Sequence, residues 1–191
     1  MDAQESLNSL KNGNFRFVHG HPQHPRQQSD RREAVLSGQN PIAAILSCSD
    51  SRVPPEILFD QGIGDLFVIR TAGNVADDGV LGSLEYAVEH LRVGLVVVMG
   101  HSRCGAVTAA VQGEASAGHI TSLIDKIAPA VEIGRARGGD LLAQAVDANI
   151  ELTVEGIRNS EPILVDCVTQ GKLTVIGARY DLDSGQVVFL G

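Results

Sequence analysis

The sequence predicts an α/β fold: a mostly parallel central sheet of four strands, an antiparallel C-terminal edge strand, and helices on both faces. Three observations predict it. Continuous apolar runs of strand length recur at Ile42-Ala43-Ala44-Ile45-Leu46, Leu66-Phe67-Val68-Ile69 and Leu95-Val96-Val97-Val98-Met99, and Leu173-Thr174-Val175-Ile176-Gly177-Ala178 reads as a fourth strand beside these runs. Such runs fit strands covered on both faces of a parallel sheet. Segments with helical spacing alternate with them, as in doubly covered α/β folds. Finally, the turn signal Asp183-Ser184-Gly185 leads into a short run from Val187 to Leu190, which reads as a hairpin at the sheet edge.

Taken in order, residues 3–18 carry Leu7, Leu10, Phe15 and Val18 at roughly helical spacing and end near Gly20, an amphipathic helix. His19, His21 and His24 follow, with Pro22 and Pro25 among them. The prolines break any regular element on which these imidazoles could converge, so the stretch reads as a solvated loop. Ser29 is placed to cap a short helix reaching Ser37 and closed by Gly38. The first strand then runs into Cys48. After the second strand, Asn74 to Gly79 reads as a polar loop, and Val80, Leu81, Leu84, Ala87, Val88 and Leu91 trace one helix face. The third strand runs into Gly100 and His101, and Gly105 onward is helical through Val111. Residues 113–120 are read as a loop. Residues 121–161 are read as mostly helical with a break at Gly138-Gly139, and Pro162 starts a short helix over 162–170. The whole chain is read as one domain, 1–191, with a helical arm over about 3–37 and an α/β core over about 41–191.

The chain has 191 residues, enough for one domain with a sizeable core. It is 43% hydrophobic and 4% aromatic with no Trp, so Val, Ile, Leu and Ala must build that core. A formal net charge of −8 argues against binding nucleic acid. No apolar run approaches the roughly 18–20 residues that span a bilayer. Three cysteines make no disulfide framework. With no apolar signal region after Met1, the expected compartment is the reducing cytoplasm.

Chemistry concentrates in Cys48-Ser49-Asp50-Ser51-Arg52 and His101-Ser102-Arg103-Cys104. Two thiols, an imidazole and a carboxylate suit tetrahedral zinc. Each motif alone is a weak signal. Together they fall at the carboxyl ends of predicted strands, where functional residues of open α/β sheets gather. Cys104 falls at a helix N-terminus, which favours a thiolate. The fourth position is open to water or to Asp50. Cys167 lies in a separate predicted helix and reads as a packed apolar residue.

These motifs, with Asp65-Leu66-Phe67-Val68-Ile69-Arg70-Thr71-Ala72-Gly73-Asn74 and Ser83-Leu84-Glu85-Tyr86-Ala87 between them, resemble the β-class carbonic anhydrases in the same order over about residues 5 to 190. The resemblance implies zinc-dependent, reversible hydration of carbon dioxide to bicarbonate and a proton by hydroxide generated on the metal. It implies Cys48, His101 and Cys104 as ligands of one Zn2+ per subunit. Asp50 and Arg52 would be the catalytic dyad, with Asp50 a possible fourth ligand in a closed state. Gln39, Phe67 and Tyr86 would line the substrate pocket, the two aromatics from an adjoining subunit, in a homodimer or dimer of dimers. Members with a second bicarbonate site carry Trp three residues before the first cysteine. Ile45 stands there in this chain, so no such site is expected although Arg70 matches its arginine, and the open, water-bearing zinc site is favoured. Two cysteine ligands also lead us to expect activity rising on the alkaline side of neutrality. Competing readings are hydrolysis of carbon disulfide or carbonyl sulfide on the same scaffold, and a non-catalytic zinc module.

Overall fold

The computed structural model describes residues 1–113 and 117–190. Its strands are β1 (Ala43–Cys48), β2 (Leu66–Thr71), β3 (Leu95–His101), β4 (Thr174–Tyr180) and β5 (Val187–Leu190), in the sheet order β2-β1-β3-β4-β5. All neighbours are parallel except β4 and β5, which pair antiparallel. The chain leaves β1 toward β2 on one side and resumes with β3 on the other. A topological switch point therefore opens between the carboxyl ends of β1 and β3, where such sheets place their ligands.

Every residue of β1 and β3 is buried, as continuous apolar runs require. β2 differs from the expectation: its residues are half-buried, and Arg70 is exposed. The reason is position, since β2 is the edge strand beyond β1. On one sheet face Ile45, Val97 and Met99 pack with Leu10, Leu58 and Phe59. On the other, Leu46, Val96 and Val98 pack with Leu84, Val131 and Ile150.

Helix α1 (Ala3–Val18) starts with a capping box in which the Asp2 side chain accepts from Glu5 N. It buries Ser6, Leu10, Gly13 and Asn14, one stripe at helical spacing. Phe15 and Val18 lie off that stripe and are exposed, contrary to the apolar face read from the sequence, and Phe15 stacks on His19 instead. Asn14 clasps both ends of the chain. Its Nδ2 donates to Leu58 O at 3.1 Å and Gly185 O at 3.0 Å, and its Oδ1 accepts from Val187 N at 2.8 Å.

His19, His21 and His24 are exposed, as expected of a loop. Helix α2 (Ser29–Ala34) is shorter than expected: Gln28 is its N-cap, Ser29 is already helical, and it ends before Ser37. Two buried carboxylates tie this region to the core. Asp60 accepts from Arg16 Nε at 2.6 Å, Gln23 N at 3.0 Å and His24 N at 2.9 Å. Asp65 accepts from Arg26 Nε at 2.8 Å and Gly62 N at 2.6 Å.

Burial pushes the Asp60 carboxyl up, but the Gln23 amide, Arg16 and the His24 amide together hold it below its usual value. A depressed native pKa stabilises the fold above the ordinary carboxylate range, and that contribution is lost as pH falls through the depressed value. Asp60→Asn turns an amide donor toward these donors, and should cost about 2–3 kcal/mol near neutrality. In urea titrations the gap to wild type should close on acidification below about pH 4; a gap that persists or widens there counts against the assignment.

Helix α3 (Pro55–Leu58) is too short to show a period in the sequence. Helix α4 (Asp78–Glu89) is capped by the Asp77 side chain, and α5 (Gly105–Gln112) ends at Gly113. Of the loop expected over 113–120, residues 114–116 lie outside the described residues, and Ile120 already begins a helix. Helices α6 (Ile120–Arg137) and α7 (Leu141–Arg158) are separated at Gly138-Gly139 as expected, and α8 (Ile163–Thr169) follows Pro162. Among the described residues, no helix is long and apolar enough to cross a membrane.

Candidate metal centre

Cys48 closes β1, and the chain turns at once: Ser49 N donates to Thr71 O at 3.1 Å and Val53 N to Asp50 O at 3.0 Å. His101 closes β3 beside it. Arg103 then takes a left-handed conformation with φ 55°, which reverses the chain and delivers Cys104 to the start of α5.

The ligand atoms of Cys48, His101 and Cys104 all lie within 4.8 Å of one another, and the three residues are buried. This is the only such group among the described residues. The two sulfurs are 3.8 Å apart, which matches the roughly 3.8 Å edge spanned by two sulfurs at about 2.3 Å from one tetrahedral ion. His101 is fully buried. Its Nδ1 lies 3.0 Å from Ser102 O; a carbonyl only accepts, so Nδ1 carries the proton and Nε2 presents a lone pair. Nε2 has no hydrogen-bond partner. A buried acceptor left bare beside two thiols is what a soft divalent ion satisfies, and the donor set fits zinc.

The hydrogen bond between the sulfurs holds Cys48 below the usual thiol range and pushes Cys104 above it. Gly73 N donates to Cys48 Sγ at 3.3 Å, while the Ala106 and Val107 amides of α5 favour a thiolate at Cys104.

Asp50 faces this cluster, its Oδ2 lying 3.8 Å from His101 Nε2. Arg52 holds it from the other side, with N and Nε donating to Oδ1 at 2.9 Å each and Nη2 to Oδ2 at 2.7 Å. The guanidinium keeps the Asp50 carboxyl far below the usual carboxylate range. Arg70 reaches across from β2 and donates to Cys48 O at 3.1 and 3.0 Å and to Asp50 O at 2.6 Å, so it braces the backbone of this turn. Ile45, three residues before Cys48, is fully buried in the core.

The structure does not bring Gln39, Phe67 or Tyr86 to this cluster. Gln39 is exposed ahead of β1, whereas Cys48 ends that strand, five residues and about 16 Å beyond Ala43. Phe67 pairs with Ala44 while Thr71 pairs with Cys48, which puts Phe67 about 13 Å away along the strands. Phe67 and Tyr86 do meet each other, their ring centroids 6.3 Å apart. Cys167 packs against the core away from the cluster. Sequence reasoning passed over Asn149, a lone amide on the apolar face of α7, whose Nδ2 donates to Gly73 O at 2.8 Å.

A sequence model of the family described as Carbonic anhydrase matches residues 43–187, which contain every member of this cluster. The chain belongs to the β-carbonic anhydrase family. Carbonic anhydrase 2 of Mycobacterium tuberculosis is 44% identical over 184 residues, covering 94% of this chain and 89% of that protein. The carbonic anhydrase of Mycolicibacterium smegmatis is 40% identical over 183 residues, with the same two coverages, 94% and 89%. The β-carbonic anhydrase CcaA superposes with a TM-score of 0.76 at 28% identity, covering 97% of this chain and 95% of that one. A tetrameric β-carbonic anhydrase from Sordaria macrospora gives 0.76 at 25% identity, covering 98% and 96%. Reversible hydration of carbon dioxide to bicarbonate and a proton is thus the activity of this carbonic anhydrase.

Proposed function

We propose that this carbonic anhydrase works with one zinc ion per subunit held by Cys48, His101 and Cys104, and that Asp50 and Arg52 control the space beside it. The observation that carries this reading is the bare, buried Nε2 of His101 facing two sulfurs 3.8 Å apart. When bound there, zinc supplies a Lewis acid that lowers the pKa of water from about 15.7 toward about 7 and so makes a nucleophile near neutrality.

The chain's own residues do the rest. Ser102 O fixes the His101 tautomer. Arg52 engages both Asp50 oxygens and so holds the carboxylate off the cluster in an open arrangement. The free lone pair of Asp50 Oδ2 is then an acceptor for the proton of the attacking nucleophile, which orients its reactive lone pair toward carbon dioxide. Two cysteine sulfurs bring more negative charge than imidazoles would, which supports the expectation of activity rising on the alkaline side.

Gln39, Phe67 and Tyr86 are assigned to the site of a second copy, in a homodimer or dimer of dimers. Their distance from Cys48 within the chain and the 48% exposure of Tyr86 support this reading. The free cysteines suit a reducing, cytoplasmic compartment.

Metal analysis should find about one zinc per chain. Stripping it with a chelator should stop carbon dioxide hydration in stopped flow, and adding zinc back should restore it. Full activity in metal-free protein overturns the reading.

A further inference from the structure

Gly73 carries one of the contacts to the metal cluster, and its backbone must be held from outside. Its φ of 71° lies in the left-handed region, and a Cβ there would come within 2.7 Å of Ile127 Cδ1 and 3.1 Å of Ala106 Cβ. The left-handed backbone and these close neighbours favour glycine, yet glycine is the residue with the least conformational preference of its own. A turn built on glycine therefore needs another group to keep it in place.

Asn149 supplies that group. It stands mid-way along α7, is 3% exposed, and sends Nδ2 across to Gly73 O at 2.8 Å. On the other side of the Gly73 Cα, Gly73 N donates to Cys48 Sγ at 3.3 Å. The two bonds pin the same residue from opposite sides, so releasing the carboxamide frees the peptide that faces the sulfur. The neighbouring Ile150 packs over Gly100, one residue before His101; a Cβ on Gly100 would lie 2.8 Å from Ile150 Cδ1. One turn of α7 thus backs β3, which carries His101, and the turn after β2 that donates to Cys48.

We infer that Asn149 is a positioning residue for the metal centre: through Gly73 it holds an N–H donor on Cys48 Sγ and so sets the affinity and electronic character of that sulfur ligand. The inference rests on the zinc reading above. Partners one shell removed from a metal typically change its affinity about 10–100-fold when removed.

The test uses the full chain with Asn149→Leu, which removes the donor at similar volume without burying a charge, and Asn149→Ala as a second variant. Zinc affinity is measured by competition with a chelating dye. Cobalt(II) is substituted to read the sulfur-to-metal charge-transfer band, and circular dichroism reports the fold. Wild type should bind zinc, and each variant that folds should bind it about tenfold or more weakly with a shifted cobalt band. A folded variant with wild-type affinity and an unchanged band overturns the proposal. So does loss of fold in both variants, because Asn149 would then serve the packing of α7 rather than the sulfur. If wild type itself takes up no zinc, the functional reading fails and takes this inference with it. A wild type that binds zinc alongside an unaffected variant isolates the failure to Asn149.

Discussion

Cys48→Ala is expected to lower kcat/KM for carbon dioxide hydration on the order of 10³-fold or more, because the nucleophile then has to come from water close to its bulk pKa. The loss should come with loss of zinc and without loss of fold. Cys48 lies at the very end of β1, and Cys→Ala removes a single heavy atom from a site that the remaining strand still buries. The packing cost is about 1 kcal/mol. What does change is ligand-linked stability, since an ion that binds only the native state raises the melting temperature. The melting temperature of C48A should therefore match that of wild type stripped by chelator, within the small packing cost. Zinc content, stopped-flow rates and thermal melts on the same samples check this. A C48A protein that keeps its zinc and its rate removes Cys48 from the ligand set.

Asp50→Asn is expected to cost about 10²-fold or more in kcat/KM at unchanged zinc content. The variant keeps the size of the side chain but loses the charge that Arg52 engages through Nε and Nη2, and its amide can turn a donor where an acceptor is needed. Arg52→Ala separates two roles for the same carboxylate. Without the guanidinium, Asp50 keeps the hydrogen bond from Arg52 N, and its Oδ2 already lies 3.8 Å from His101 Nε2. Activity should fall comparably, and X-ray absorption should show an added oxygen ligand as the carboxylate moves onto the metal. Full activity in D50N sinks the acceptor role. Arg52→Ala with wild-type activity and unchanged coordination sinks the restraining role.

The convergence of Cys48, His101 and Cys104 was legible because both motifs follow long apolar runs, and parallel strands present their carboxyl ends on one edge. The antiparallel final pair was legible from Asp183-Ser184-Gly185. Strand order was not. A four-residue apolar run looks the same at an edge as in the middle, so the half-exposure of β2 had no local signature. Phe15 and Val18 kept helical spacing yet lie outside the stripe that α1 buries, because Gly13, where a Cβ would overlap the Phe59 carbonyl, sets how the helix docks. The pocket residues Gln39, Phe67 and Tyr86 came from resemblance alone, and spacing along one chain cannot tell which copy's site they serve. Asn149 did leave a trace, an amide among Ala145, Val146, Ala148 and Ile150. Its target, Gly73, lies 76 residues away, and no local pattern points across that distance.

The clasp at Asn14 has a consequence for the order of events during synthesis. Its partners Gly185 and Val187 are 171 and 173 residues downstream. As the chain emerges from a ribosome, α1 appears long before the groups that complete the hydrogen bonding of its Asn14. Contacts of such sequence separation are slow to form, so until β5 has been made α1 has its cap but not its full docking site. Loss of the β5 hairpin by truncation would reach back to the first helix as well as removing a sheet edge. Helix α1 and the β5 hairpin are in this sense one late-assembling element, coupled across 171 and 173 residues of intervening sequence.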